Sequence, residues 1–423
     1  MSPLLAPLFT TDAMQAYFSD DGRLSAMIKA EAALARAQGS DALAARIEAA
    51  RIDPVALGRA TALAGVPVIA FVQAVKAQLP PELEPLFHKG ATTQDIMDTA
   101  LVLQVREGLD LLVVELAAVL AGLMAMAERY RETPCVGRTY GQHAAPVTFG
   151  FKVAVWLTGM AEVVAQLPAL RRQVLVASLG GPVGTLPGGP ALLEAFAGEL
   201  GLGVTPLAWH AQRGRMVAVG VWLATLVGSL AKMATDVAHL CSTEVGEVNE
   251  PYLPGRGGSS AMPHKRNPVS CTVILAAQAG APGQVMTLLN AMPVPHERPV
   301  GLWHAEWSAV PLLFLMAAGA VREARVLAEG LEVDAVRMLA NISATRGLLF
   351  ADRAAALLSP SMGREAAHHH VELAAAEVRQ SGRELMDVLG PELAPAFDLV
   401  PAVEAAGPWV DRALAYAGQI IKG

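Results

Sequence analysis

The sequence predicts an all-α protein, and three observations support that expectation. Apolar residues recur at helical spacing over most of the chain, and one such face is formed by Leu24, Met27, Ile28, Leu34 and Ala35. No stretch alternates convincingly between apolar and polar residues, as a half-buried strand would. Glycine and proline fall in clusters, and the segments between them, such as 99–131 and 149–176, are far longer than an average helix of about 11–12 residues.

The chain of 423 residues exceeds what one hydrophobic core usually supports, so several domains are expected. Long helices joined by short turns of glycine and proline are typical of an extended bundle. We predict three helical domains: an N-terminal domain at 1–103, a central long-helix bundle at 104–350 and a small C-terminal domain at 351–423.

The chain is strongly apolar, with 53% hydrophobic residues and a mean hydropathy of +0.40. A membrane helix needs about 20 apolar residues, and the most uniformly apolar stretch, 216–231, is shorter and is closed by Arg215 and Lys232. The charge-free stretch 268–295 is interrupted by prolines, glycines and polar side chains. The sequence therefore predicts no membrane span but helices buried in a large core, which oligomerisation extends.

Charge and cysteine content exclude several classes of function. A net charge of −7 without a basic run argues against nucleic acid as a partner, although small anionic substrates remain possible. Cys135, Cys241 and Cys271 are too far apart for a disulfide framework or a CxxC metal pair. Adjacent helical residues diverge by about 100°, so the histidines at 368–370 predict no metal site. No secretory signal begins the sequence, and we expect a cytoplasmic protein.

The segment richest in chemistry reads Gly258-Ser-Ser-Ala-Met-Pro-His-Lys-Arg-Asn-Pro268 and follows a glycine-rich stretch. The glycines give the backbone freedom that a closing lid needs. Lys265 and Asn267 stand near an expected helix start, where a cation, an amide and backbone N–H groups can converge on a carboxylate. The sequence thus predicts an anion site beside hydroxyl groups.

This string resembles the signature Gly-Ser-Ser-x-Met-Pro-x-Lys-x-Asn-Pro of the fumarase/aspartase superfamily, whose members add or eliminate groups beta to a carboxylate. The resemblance implies that Ser259 is the carbon acid or base. It also implies that Lys265 and Asn267 hold the carboxylate whose alpha carbon becomes carbanion-like. A dianion of the enolate type demands preorganised positive charge, so this implied arrangement is chemically consistent.

Two further segments resemble the other motif regions of the superfamily. In the first, 88–100, the resemblance implies that Thr92, Thr93 and Gln94 donate to a substrate carboxylate. The residues alone are equally consistent with a helix start that carries Asp95 in its first turn.

In the second segment, 137–150, His143 matches the histidine that serves as acid or base in part of the superfamily. The resemblance extends the substrate contacts to Thr139, Gln142 and Ser260. It also implies a homotetramer with a 20-helix core, in which the three segments come from different subunits to form each active site.

Two motifs narrow the resemblance within the superfamily to adenylosuccinate lyases and bacterial 3-carboxy-cis,cis-muconate cycloisomerases. They read Gln-His-Ala-x-Pro-x-Thr-Phe-Gly and Pro-His-Lys-Arg-Asn-Pro. The nucleotide-binding features of the first group are missing at 8–12 and 66–71. The wording at 243–247 and 296–307 is similar to that of the cycloisomerases. Adenylosuccinate lyase, or a related succinate lyase, stays the alternative, and a catalytically silent structural protein is a remote third.

The cycloisomerase resemblance implies an intramolecular lactonisation of a tricarboxylate by acid and base chemistry that requires no metal or other cofactor. Three carboxylates need several cations, and the candidates beside Lys265 are Arg298 and Arg213, with Arg215 as a further possibility. Trp156, on the expected helix after His143, is a candidate wall for the planar diene.

Overall fold

The computed structural model describes residues 2–258 and 261–422. The helices α1 to α18 of this part of the chain span, in order, Ala6–Phe9, Asp12–Tyr17, Asp20–Ala37, Asp41–Ala49, Pro54–Ala64, Pro67–Lys76, Thr93–Arg129, Phe149–Ala165, Leu167–Val174, Gly189–Leu200, Gly214–Leu240, Val269–Asn290, Leu302–Gly330, Ala335–Ser343, Ala351–Met362, Arg364–Ser381, Leu385–Leu389 and Val400–Lys422. Strands β1 to β4 span Pro134–Thr139, Gln142–Thr148, Val248–Asn249 and Glu332–Val333. The predicted all-α fold is therefore confirmed, with two small two-stranded sheets added to it.

The hairpin of β1 and β2 is the main departure from the predicted secondary structure. Its tight turn is made by Tyr140 and Gly141, which both have positive φ, at 51° and 75°. Burial does not alternate along either strand, and the register shifts between Gly137 and Arg138. The period of two that marks a strand in a sequence is therefore absent, and the prolines and glycines here predict only a turn.

The long predicted helices are present with shifted ends. Helix α7 covers 37 residues and begins at Thr93, before the predicted start. The single helix predicted at 149–176 is two helices, α8 and α9, because Pro168 stands in the first turn of α9 and cannot continue the hydrogen-bond ladder of α8. Helix α12 continues through Pro282, although its proline and glycine content suggests an interrupted segment.

The chain forms two compact units, each assembled from three stretches. Unit 1 contains Met1–Glu115, Ala165–Gly228 and Ala276–Arg322, and unit 2 contains Leu116–Val164, Ser229–Leu275 and Glu323–Gly423. This division follows packing rather than chain order. The three domains in chain order stay a prediction.

In unit 1, α3 packs against α4 and α10, and α5 packs against α6. Helix α5 starts at Pro54 behind Asp53, whose carboxylate accepts the N–H of Val55 at 2.9 Å. In unit 2, the hairpin packs against α14 and α18, and α15 packs against α16 over the buried side chains of Val371 and Leu385. Each unit thus has a buried core of its own.

Four helical segments of the described chain are long and apolar enough to cross a membrane by length and composition: Thr93–Arg129, Phe149–Val174, Gly214–Leu240 and Val269–Asn290. In their most apolar windows, the buried share of residues ranges from 61% in Gly214–Leu240 to 28% in Val269–Asn290. The sequence attributes this apolar surface to an oligomer core rather than to a membrane, and that interpretation stays a prediction.

Candidate active site

Thr92 and Arg298 lie together in unit 1, at the start of α7. The Nη2 of Arg298 donates to the hydroxyl of Thr92 at 2.9 Å and to the carbonyl of Pro182 at 3.1 Å. Its Nε is buried and has no hydrogen-bond partner within residues 2–258 and 261–422. A buried guanidinium donor without a partner is costly, so this Nε is suited to an incoming carboxylate.

Gln94 is fully buried, whereas Thr93, the first residue of α7, is half-buried. The Nε2 of Gln94 donates to Asp98 at 3.2 Å and to the carbonyl of His210 at 3.0 Å. In the described chain the Oε1 of Gln94 has no partner. Gln94 therefore connects the start of α7 to its surroundings and does not face solvent in this unit.

Arg213 lies at the centre of a buried ion cluster in unit 1. Its guanidinium donates to both oxygens of Asp98, at 2.7 and 2.9 Å, and of Glu306, at 2.9 and 2.5 Å. It also stacks over Trp209 at 4.7 Å from the ring centroid. Burial opposes its charge, but the two carboxylates outweigh burial and raise the pKa of Arg213. The sequence suggests a free substrate cation here, whereas the structure shows a neutralised one.

His143 stands on β2 of unit 2, directly opposite Arg138 on β1. Arg138 forms a two-pronged ion pair with the buried Glu247, at 3.1 and 2.5 Å, and Asn341 donates to the same carboxylate at 2.8 Å. Burial, and then the charge of Arg138, lower the pKa of His143 below its ordinary value. Its Nδ1 is buried without a partner in the described chain, so Nε2 is the nitrogen available to a substrate.

Two of the predicted contacts, Thr139 and Gln142, face each other across the turn of this hairpin and are exposed. Trp156 is different, because it is 2% exposed and its indole N–H donates to Asp236 at 2.7 Å. An edge-to-face contact with Phe149, at 6.0 Å between centroids, places it in the core of unit 2. This burial agrees with the alternative that Trp156 is a core residue, and its role as a wall for the planar diene stays a prediction.

The signature segment emerges from unit 2 as a loop, and Ser259 and Ser260 lie outside the described residues. The N–H of Asn267 donates to the carbonyl of Gly257 at 2.8 Å, and Gly258 forms a bridge with Arg266. Gly257 has a φ of +68°, and a Cβ there would lie 2.5 Å from the carbonyl oxygen of Asn267. Only glycine fits this close stem.

Two ion pairs hold the same loop against the rest of unit 2. Arg256 pairs with Glu323, and Arg266 pairs with Glu332 at 2.9 Å. Lys265 is exposed and makes no ion pair in the described part of the chain. Arg256 and Arg266 thus hold the described part of the loop in place, whereas the Lys265 side chain faces solvent. No hydrogen bond joins His143 to Lys265 or Asn267 among the described residues.

A family model described as Lyase matches residues 19–283 of the chain. The chain belongs to this lyase family. The 3-carboxy-cis,cis-muconate cycloisomerase of Pseudomonas aeruginosa is 45% identical to this lyase over an alignment that covers 96% of the chain and 95% of that relative. The nitrosuccinate lyase of Streptomyces davaonensis is 39% identical, with 98% and 94% covered. A crystal structure of 3-carboxy-cis,cis-muconate lactonizing enzyme from Pseudomonas putida has a TM-score of 0.95 and 40% identity, covering 99% of this chain and 100% of that chain.

The predicted membership of the fumarase/aspartase superfamily, close to the cycloisomerases, is confirmed by these similarities. The sequence does not identify two residues of this lyase, Asp95 and Glu247, as members of the candidate site. Asp95 looks like an ordinary helix-start residue, and Glu247 is noticeable only because its segment resembles the cycloisomerase wording. Their partners are far away along the chain, at separations of 85 for Asp95 to Gly180 and 109 for Glu247 to Arg138, so sequence spacing gives no signal.

Proposed function

We propose that this lyase converts 3-carboxy-cis,cis-muconate into 4-carboxymuconolactone. The observation that carries the assignment is 45% identity, over 96% of the chain, to a relative bearing the name of that cycloisomerase. The solved lactonizing enzyme with a TM-score of 0.95 supports the same chemistry. A substrate with three carboxylates also suits the two cations assigned to it, Lys265 in unit 2 and Arg298 in unit 1.

In the proposed reaction, one carboxylate oxygen of the substrate forms a C–O bond to a carbon of the conjugated diene. The displaced π electrons move into the neighbouring carboxylate, which becomes an aci-carboxylate. Lys265 and Asn267 hold that group and stabilise its second negative charge. Protonation of its alpha carbon then completes the lactone, so that no atom is lost.

We assign delivery of this proton to the hydroxyl of Ser259, by its match to the superfamily signature, and the alkoxide left behind regains a proton from water. The lowered pKa of His143 supports that choice, because it disfavours the imidazolium, the form of histidine that would act as the acid. Its Nε2–H instead binds the attacking carboxylate. A protonated imidazolium would form an ion pair with this carboxylate and weaken it as a nucleophile.

The remaining residues fall into two groups by position. Substrate contacts are assigned to the accessible side chains, which are Arg298, Thr92, Thr93, Thr139 and Gln142, together with Ser260. The buried residues Gln94, Arg213 and Trp156 are assigned supporting roles beneath these contacts. No metal or other cofactor is needed for this chemistry, and we place the enzyme in the cytoplasm.

We further propose that each active site is shared between subunits of a homotetramer. The proposal is supported by large apolar side chains that are exposed on the long helices, among them Val155, Val221, Met286 and Leu289. Light scattering should give a mass of four chains of 44.2 kDa each. A monomer at micromolar concentration would contradict the shared site.

A related succinate lyase is the second candidate, because nitrosuccinate lyase is 39% identical over nearly the whole chain. The two functions are separated by the bond that changes. A succinate lyase breaks a bond beta to a carboxylate and releases a small group, whereas the cycloisomerase releases nothing. The same three motif segments, 88–100, 137–150 and 258–268, would serve either reaction. The two functions are therefore distinguished only by the substrate that the enzyme accepts.

The deciding measurement follows the ultraviolet absorbance of 3-carboxy-cis,cis-muconate with purified protein in the presence of a metal chelator. We expect absorbance to fall with a rate proportional to protein concentration, because lactone formation interrupts the conjugated diene. Nitrosuccinate and adenylosuccinate should be unchanged under the same conditions. Turnover of either of those substrates, with no change in the muconate, would replace the proposed function.

A further inference from the structure

The buried carboxylate of Asp95 lies in unit 1, in the first turn of α7. It is fully buried and accepts four hydrogen bonds, two on each oxygen. The donors are the N–H groups of Gly180 at 2.7 Å, Gly181 at 2.9 Å and Thr92 at 2.9 Å, and the Nε2 of His210 at 2.6 Å. We propose that Asp95 is the positioning residue for Arg298, a role that rests on the proposed function because Arg298 is assigned there to a substrate carboxylate.

The connection between the two residues is geometric. Arg298 is anchored at one nitrogen, Nη2, which donates to the hydroxyl of Thr92 and to the carbonyl of Pro182. Asp95 holds the backbone N–H of Thr92 itself and the N–H of Gly181, the residue immediately before Pro182. One carboxylate therefore sets the positions of both acceptors, which belong to segments about 90 residues apart in sequence.

The glycine-rich segment has little freedom to take another place. Gly181 has a φ of +68°, and a Cβ there would lie 3.0 Å from the carbonyl oxygen of Gly90. At Gly180 a Cβ would lie 2.5 Å from the Cβ of Ala208. Both glycines are thus needed for the close approach that brings their N–H groups to Asp95.

His210 completes the set as a proton donor. All other contacts of Asp95 come from donors, so both of its oxygens act as acceptors and Nε2 of His210 carries the proton. The Nδ1 of His210 is buried without a partner in the described chain, which suits an unprotonated nitrogen better than an N–H. The imidazole holds Asp95 in place, and the backbone carbonyl of His210 accepts from the Nε2 of Gln94.

This anchoring matters because the hydrogen bonds that hold the Arg298 guanidinium among the described residues are both made by Nη2. Its Nε is buried and unpartnered within the described residues, so the direction of that donor depends on the two bonds at Nη2. A displaced guanidinium binds a substrate carboxylate more weakly, because its hydrogen bonds depend on distance and direction. Asp95 therefore acts on the substrate through Arg298, without touching it.

The test is a double-mutant cycle with Asp95→Asn and Arg298→Gln. The asparagine keeps the shape of the side chain but turns an N–H₂ toward two of the four donors. We expect Asp95→Asn to raise KM by about tenfold to a hundredfold, with a smaller change in kcat, as for Arg298→Gln. In the Arg298→Gln background, Asp95→Asn should add less than about a threefold loss of kcat/KM. Losses that multiply would overturn the positioning role.

Asp53→Asn is the matched control, because Asp53 also accepts a backbone N–H at a helix start but lies outside the Arg298 contacts. It should leave both kinetic constants unchanged. If Asp95→Asn does not fold, His210→Gln is the milder variant: it disturbs one donor of four and should give a smaller KM increase with the same non-additivity. Additive losses in that cycle would equally count against the role of Asp95.

Hydrogen exchange separates this inference from the proposed function, since it needs no substrate. In Asp95→Asn, amides in 90–96 and 178–186 should exchange faster than in the wild type, whereas the rest of unit 1 should not change. Unchanged exchange in both segments would refute the anchoring. If amides in these segments exchange faster in Asp95→Asn, but the wild type does not turn over the muconate, the anchoring of Arg298 is supported and the proposed substrate is wrong.

Discussion

Replacing Lys265 with methionine is expected to lower kcat/KM by on the order of 10³-fold, because the aci-carboxylate loses its fixed positive charge. The thermal stability of the protein should hardly change. Lys265 is exposed, and methionine preserves the hydrogen bond from its backbone N–H to the carbonyl of Met262 at 3.0 Å. Turnover of 3-carboxy-cis,cis-muconate and the thermal unfolding midpoint, measured on the same preparation, test both halves of this prediction.

Lys422→Met is the matched control, since it removes the same charge from an exposed residue at the end of α18. It should leave turnover within about a factor of two, as for most surface substitutions away from a site. Equal losses for the two variants would mean that the effect of Lys265 is one of net charge. The substrate pocket would then have to be sought away from the signature loop.

The fold is largely accessible from the sequence because its elements are long and periodic. Helix α7 is predicted at 99–131 and found at Thr93–Arg129, since apolar residues recur along it without a helix-breaking proline. The hairpin that carries His143 is missed for the opposite reason. Its burial pattern has no period of two, and Pro134 and Pro146 look like breakers until their pairing partners are known.

The candidate site shows the same limit at the level of single side chains. The resemblance to the superfamily implies that Thr92 meets substrate, and the need for several cations makes Arg298 and Arg213 candidates beside it. Whether an arginine is free depends on carboxylates that the fold brings to it, and Arg213 meets Asp98 and Glu306 from 115 and 93 residues away. Arg298 meets a hydroxyl and a carbonyl instead, and no carboxylate within residues 2–258 and 261–422 forms an ion pair with it. Sequence motifs identify the segments that contain these two arginines. Only the packing of the fold shows which arginine is paired with carboxylates.

His143→Ala is expected to lower kcat by on the order of 10²-fold near neutral pH, because the attacking carboxylate loses its hydrogen-bond donor. The pH dependence gives the sharper test. Activity requires the neutral imidazole, so kcat/KM of the wild type should be full at neutral pH and fall as pH drops through the pKa of His143. Since burial and Arg138 lower that pKa, this decline should be centred below the ordinary histidine value of about 6.5. The acid limb should be absent in His143→Ala.

Glu247→Gln tests the electrostatic cause of that shift. Glu247 neutralises Arg138 and raises the pKa of His143, so its removal leaves the charge of Arg138 unopposed and should move the acid limb to lower pH. Asn341→Ala, which removes a neutral donor to the same carboxylate, should leave the limb in place. The opposite profile, in which kcat/KM falls as pH rises through the pKa of His143, would assign the transferred proton to His143. The lactonisation needs one proton on carbon and an attacking carboxylate that is already ionised. The direction in which kcat/KM changes through the pKa of His143 therefore decides whether histidine or serine donates that proton.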